Sequence, residues 1–171
     1  MSNLSSKTLD KTYLKKGMIE IVKKIASFQI DHTTLEPGIY LSRCDNDINT
    51  YDLRLKYPNR GNYLNNPAIH TFEHLFATYA RNSEYEDKII YFGPMGCRTG
   101  YYFLTKGITH QEVIKLIILA VKFIAEYNGE VPGVSEIECG NWEEHDLAQA
   151  KSDADEYLKI IHNWDEISLK Y

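Results

Sequence analysis

The 171-residue chain has no apolar run approaching membrane-spanning length, and its N-terminus lacks the apolar stretch of a secretory signal. Neither a membrane protein nor an exported one is expected, so the anticipated compartment is the cytoplasm. Cysteine is scarce and odd in number. Cys44, Cys97 and Cys139 cannot all pair within one chain, and a reducing compartment leaves thiols for ligation or catalysis. No arginine-rich or lysine-rich face is present, and the formal charge of -5 argues against nucleic acid as the main partner. A small soluble substrate fits better. Internal repeats and low-complexity tracts are also missing.

What is present fits one globular domain, since 43% of residues are hydrophobic and 25% charged, enough for a sizeable core without disulfides. Residues 1–24 differ from the rest: Lys7, Lys11, Lys15, Lys16, Lys23 and Lys24 face only Asp10 and Glu20. Leu14, Met18, Ile21, Val22 and Ile25 give this segment a weak helical stripe, consistent with a frayed extension or with a docked helix. It is read as an unassigned extension, with residues 25–171 as the catalytic domain.

Ile39-Tyr40-Leu41 and the segment from Tyr51 to Tyr57 read as strands of a hairpin around an Asp45-Asn46-Asp47 turn. Tyr51, Leu53, Leu55 and Tyr57 alternate with Asp52, Arg54 and Lys56, which places Arg54 on the polar, solvated side. Lys88 to Phe92 and Tyr101 to Leu104 form two more strands around a glycine-rich loop containing Cys97. Thr109-His110-Gln111-Glu112 has capping-box form and opens an apolar helix through about Tyr127, closed by Asn128-Gly129. Val134 to Glu138 is expected as a short last strand, and Asn141-Trp142-Glu143-Glu144 as the cap of a helix through about Ile161. Without a βαβ rhythm, these elements predict an α+β domain with an antiparallel sheet packed against helices.

His70-Thr71-Phe72-Glu73-His74 is the segment richest in chemistry. Asn66 reads as an N-cap and Pro67 as the first helical residue, so His70 and His74 share one helix face while Ile69, Phe72, Phe76 and Tyr79 pack elsewhere. Histidines four apart also arise by chance on helices that bind nothing. The intervening Glu73 favours metal, because H-x-x-E-H is a zinc-hydrolase signature with the glutamate free for proton transfer. Such a centre needs a third ligand and an open position.

Cys139, two residues before the expected cap at Asn141, is one candidate third ligand, since a helix N-terminus favours thiolate. A buried structural cysteine is the bland alternative. Cys97 is a candidate acid/base group or nucleophile, with Arg98 adjacent and Arg54 as a second cation able to favour the thiolate. Cys44 has no such context. Two rivals stay open: a metallohydrolase taking Glu143, Glu144 or Glu156 as third ligand, and a closed structural zinc site of His70, His74, Cys97 and Cys139.

Several segments in order, from about Ser27 to His162, resemble the S-ribosylhomocysteine lyase (LuxS) family. Ser27-Phe28-Gln29-Ile30-Asp31-His32 resembles its S-F-x-x-D-H, and Tyr51-Asp52-Leu53-Arg54 its F-D-x-R strand. His70 to Leu75 is similar to its H-T-x-E-H-L helix, Pro94 to Tyr102 to its cysteine loop, and Cys139-Gly140 with His145-Asp146-Leu147 to its last ligand segment. The resemblance implies a homodimer with active sites at the subunit interface, where His70, His74 and Cys139 bind one divalent metal per subunit, typically Fe2+, with Zn2+ or Co2+ as alternatives. It also implies cleavage of S-ribosylhomocysteine to L-homocysteine and 4,5-dihydroxypentane-2,3-dione, the autoinducer-2 precursor, which would join the activated methyl cycle to quorum sensing. Carbonyl migration and β-elimination would use Cys97 and Glu73 as acid/base groups. Arg54 would favour the Cys97 thiolate, and Ser27, His32 and Arg54 would bind or orient substrate. Two departures stand out: Thr50 where many members have lysine, and Tyr91-Phe92-Gly93 where D-I-S is sometimes seen.

Overall fold

The computed structural model describes Ile25 and residues 28–171. Ser27 and the N-terminal extension lie outside the described residues. Strands β1 (Gly38–Asp45), β2 (Ile48–Arg54), β3 (Ile89–Pro94) and β4 (Gly100–Lys106) form one antiparallel sheet in the order β1-β2-β4-β3. The β1–β2 hairpin turns at Asn46, whose φ of 56° is one that asparagine tolerates better than most residues. Helices α1 (Asn66–Arg81), α2 (His110–Glu126) and α3 (Leu147–Ile161) pack together beside the sheet. The expected α+β architecture is therefore what the chain adopts. No helix among the described residues is long and apolar enough to cross a membrane.

The shared core explains why α1 is held so firmly. Phe72 and Phe76 are buried, and Phe76 stacks on Phe92 of β3 with ring centroids 3.8 Å apart. Phe72 stacks on Tyr101 of β4 at 4.8 Å. Burying each such ring contributes about 1.5–3 kcal/mol, which fixes the rotation of α1 and leaves its histidines on the opposite side.

Helix starts differ in instructive ways. Asn65, not Asn66, caps α1, accepting from the Ala68 N–H at 2.8 Å, and Pro67 falls in the first turn. The Thr109 capping box is formed as read. The segment around Val134 to Glu138 is not a strand but a series of turns, and α3 opens at Leu147 with Asp146 as cap, well after Asn141. The reason is tertiary: the Asp146 N–H is held by Thr71 Oγ1 at 2.9 Å, so the chain is tied to α1 before it can wind.

Strand β2 carries the largest correction. Tyr51 and Leu53 are buried against the helices, yet Asp52 and Arg54 on the other face are only 1% and 2% exposed. The sheet has two covered faces, the second roofed by Tyr40 and Tyr171, whose rings stack at 4.9 Å. The strand also stops at Arg54, because the N–H groups of Leu55 and Lys56 both turn to the Thr99 carbonyl. Farther along this face, Thr50 and Tyr91 are the two cross-strand partners of Leu104. Tyr91 lies over Gly93, where an added Cβ would come within 1.9 Å of the tyrosine oxygen.

Candidate functional site

His70, His74, Cys139 and His145 bring one ligand atom each into a cluster within which all lie within 4.8 Å of one another. Backbone carbonyls select the histidine tautomers. Nδ1 of His70 donates to the Glu144 carbonyl at 3.0 Å and Nδ1 of His74 to that of Pro132 at 2.7 Å, which frees both Nε2 lone pairs. Cys139 Sγ lies 3.3 Å from His70 Nε2 and receives the Asn141 N–H at 3.5 Å. Cys139 therefore sits in a turn rather than at a helix N-terminus, and its sulfur meets that amide instead of a helix dipole.

His145 belongs to the cluster, although nothing in the local sequence pattern assigns it a ligand role. Thr71 Oγ1 donates to the Pro67 carbonyl at 2.9 Å, so it accepts from the Asp146 N–H and from His145 Nδ1, 3.1 Å away. His145 Nε2 is left buried with no partner, a lone pair aimed at nothing but the cluster. Burial, reinforced by His70 and His74, holds its pKa below the ordinary histidine value. The only prior signal was its place in the segment His145-Asp146-Leu147. Its ring stacks on that of His70 at 4.1 Å.

Glu73, half-buried on α1, makes no hydrogen bond or ion pair among the described residues. Burial pushes its carboxyl above the usual range, with His70 and His74 opposing. Of the carboxylates considered as third ligands, Glu143 and Glu144 are exposed and Glu156 is engaged with Lys56 at 2.8 Å. None joins the cluster.

Cys97 is not in the cluster either, so the closed four-ligand arrangement that includes it is not formed. It lines a separate cavity of about 520 Å3 together with Phe28, His32, Arg54, Tyr63 and Tyr102. Arg54, ion-paired with Asp52, places Nη1 3.8 Å from Cys97 Sγ and donates to Thr99 Oγ1 at 2.6 Å. Thr99 Oγ1 is itself 3.1 Å from Sγ. Arg98 turns away, its backbone left-handed at φ 58° and its guanidinium 5.8 Å from the Tyr63 ring centroid. The hairpin is seated by Gly100, where a Cβ would lie 2.1 Å from the Leu53 carbonyl oxygen. His32 faces the cavity with Nδ1 on the Ile30 carbonyl at 2.9 Å. Cys44 is exposed in the first hairpin, its Sγ donating to the Asn46 carbonyl at 3.2 Å. Among the described residues, no hydrogen bond, ion pair or ring contact joins Cys97 or Arg54 to His70, Glu73, His74 or Cys139.

Three imidazole nitrogens, one of them orphaned, and a thiol suit a divalent transition ion far better than a hard cation such as Ca2+ or Mg2+. The fold, a cluster able to hold a divalent metal and a separate cysteine cavity define a small α+β enzyme. A family model described as S-Ribosylhomocysteinase (LuxS) matches residues 25–168, and the chain belongs to that family. It is 46% identical over 156 residues to an S-ribosylhomocysteine lyase of Borreliella burgdorferi (strain ZS7), covering 88% of this chain and 99% of the relative. It is 44% identical over 157 residues to that of Desulfotalea psychrophila, covering 88% and 99%, respectively. For the enzyme of Porphyromonas gingivalis (strain W83) the identity is 45% over 146 residues, covering 82% of this chain and 92% of the relative.

Proposed function

We propose that this chain is a metal-dependent carbon–sulfur lyase that cleaves S-ribosylhomocysteine to L-homocysteine and 4,5-dihydroxypentane-2,3-dione. The observation that carries the reading is the Arg54 guanidinium 3.8 Å from Cys97 Sγ inside a cavity large enough for a ribosyl thioether. A metallohydrolase would have no use for that pair. Residues 25–171 form the catalytic domain, and residues 1–24 are an N-terminal extension with no assigned role.

His70, His74 and Cys139 would hold the ion, with the His145 ring beside them in the cluster. When bound, the ion supplies Lewis-acid polarisation of the sugar carbonyl. Cys97, with the Arg54 guanidinium beside its sulfur, takes a proton from the carbon beside the carbonyl and returns it one carbon along, so that the carbonyl moves from C1 to C2 and then C3. Glu73, whose half-buried carboxyl is biased toward its protonated form, exchanges protons with the sugar oxygens. Removal of the C4 proton then expels the homocysteine thiolate from C5 by β-elimination. His32 and Ser27 orient the substrate.

The reading includes a homodimer with active sites at the subunit interface. It is supported by the separation of the two halves of the chemistry, since no lining residue of the Cys97 cavity belongs to the metal cluster. Fe2+ is the proposed ion, the cytoplasm the proposed compartment, and the dione the proposed precursor of a quorum-sensing signal. The test is to load the protein anaerobically with Fe2+, Co2+ or Zn2+, add S-ribosylhomocysteine, and follow homocysteine with a thiol reagent. Stoichiometric thiol release is expected; none from metal-loaded wild type would overturn the assignment.

A further inference from the structure

Tyr171 lies three residues beyond the stretch that matches the family, yet its hydroxyl reaches the buried ion pair behind Cys97. We propose that Tyr171 is a positioning residue: by donating to Asp52 at 3.0 Å it holds the carboxylate that aims Arg54 at the Cys97 thiol. The inference rests on the reading of Cys97 as the acid/base group for its consequence in turnover.

Asp52 Oδ2 accepts from both Arg54 Nη2 and the Tyr171 hydroxyl, while Oδ1 is buried without a partner. Tyr171 is thus the carboxylate's one donor besides Arg54 among the described residues. Arg54 Nε is likewise buried and unpartnered, so only its two terminal nitrogens are anchored, one by Asp52 and the other by Thr99 near Cys97. The tyrosine is itself fixed. Its ring stacks on Tyr40, which packs edge-on against Trp164 at 5.9 Å, and Trp164 Nε1 donates to the Ile39 carbonyl at 2.7 Å. Leu169, two residues earlier, is buried in the core cluster. Burial, followed by the charge of Asp52, pushes the Tyr171 hydroxyl far above its usual range, so it stays a donor at any working pH.

Two effects act in one direction. The hydroxyl takes up part of the carboxylate's charge, leaving more of the guanidinium's field for the thiol, and it fixes Oδ2 so that Arg54 cannot swing away. The other charged or titratable groups around Arg54 and Cys97 include His32, Tyr40, Tyr63, Arg98, Tyr102 and Tyr157, whose hydroxyl donates to the Gly38 carbonyl. None of these donates to Asp52.

Tyr171→Phe removes the hydroxyl and keeps the ring on Tyr40. In metal-loaded protein, alkylation by iodoacetamide is followed across pH and read peptide by peptide, so that Cys97 is separated from Cys44 and Cys139. The variant should move the rate–pH curve of Cys97 upward and slow alkylation near neutrality about three- to ten-fold, with Cys44 unchanged. Turnover of S-ribosylhomocysteine should lose kcat with little change in KM. A Cys97 curve that coincides with wild type, or moves to lower pH, overturns the proposal. Absence of turnover in wild type would instead overturn the proposed reaction and leave the alkylation result standing.

Discussion

The Arg54 guanidinium donates to the Thr99 hydroxyl at 2.6 Å, and both side chains are almost wholly buried at the foot of the cysteine hairpin. Thr99→Val keeps the shape and deletes the acceptor. Leaving a buried charged donor unpaired should cost about 1–3 kcal/mol, read as a lower denaturant midpoint with unchanged slope. Cys97 should also alkylate more slowly, because Arg54 loses the contact that parks it beside Sγ.

The two cysteines of interest should separate cleanly by metal content. Cys97→Ala is expected to retain the ion and lose turnover, whereas Cys139→Ala is expected to lose the ion to a chelator far sooner than wild type. Metal analysis after dialysis against a chelator decides this. Metal loss from Cys97→Ala would return the closed-site arrangement to contention.

Thr71 serves three partners through one hydroxyl: the Pro67 carbonyl, the Asp146 N–H and His145 Nδ1. Thr71→Val should therefore release the His145 ring and loosen the start of α3. Metal affinity should fall roughly 10- to 100-fold, the usual consequence of losing a hydrogen bond behind a ligand, and competition with a chromophoric chelator measures it.

Lys56 bridges the end of β2 to α3, with Nζ 2.9 Å from Asp153 and 2.8 Å from Glu156. Burial works against its charge, but hydrogen bonds to Glu156 and Asp153 prevail and hold its pKa above the ordinary lysine value. A pKa raised on folding means the contribution is complete below the unfolded value of about 10.5 and is lost as pH climbs through the folded value. Denaturant midpoints should stay level from neutrality toward that point and fall beyond it. In Lys56→Met that alkaline component should disappear, at a neutral-pH cost of about 3 kcal/mol from stranding buried Asp153.

Features set by neighbours in sequence were legible before the fold was known. The Asp45-Asn46-Asp47 hairpin, the Thr109 capping box and the α1 histidine face all follow from local backbone rules, and each is present. Features set by distant neighbours were not. Alternation along β2 correctly gave Arg54 a face, but only the arrival of Tyr40 and Tyr171 determines that this face is covered. Asn141 has the form of a helix cap, yet the tether from Thr71 to Asp146 delays winding until Leu147. His145 is legible only through its place in the His145-Asp146-Leu147 segment, because Thr71 of α1 sets its tautomer and leaves Nε2 free.

Thr50 and Tyr91 mark two departures from the family pattern that are far apart in sequence, yet they flank the same residue of β4, Leu104. Where lysine and aspartate occupy these positions, two strand spacings, about 10 Å, separate their backbones, within reach of a long ammonium side chain and a carboxylate meeting over the middle strand. Here Thr50 and Tyr91 line a pocket of about 290 Å3 together with Arg43, and the Tyr91 ring folds over Gly93. Thr50→Lys alone should place an ammonium in the pocket that Arg43 lines and destabilise the protein, whereas Thr50→Lys with Tyr91→Asp should recover much of that loss. The energies of the two changes would then fail to add, the signature of positions that can be crossed only together.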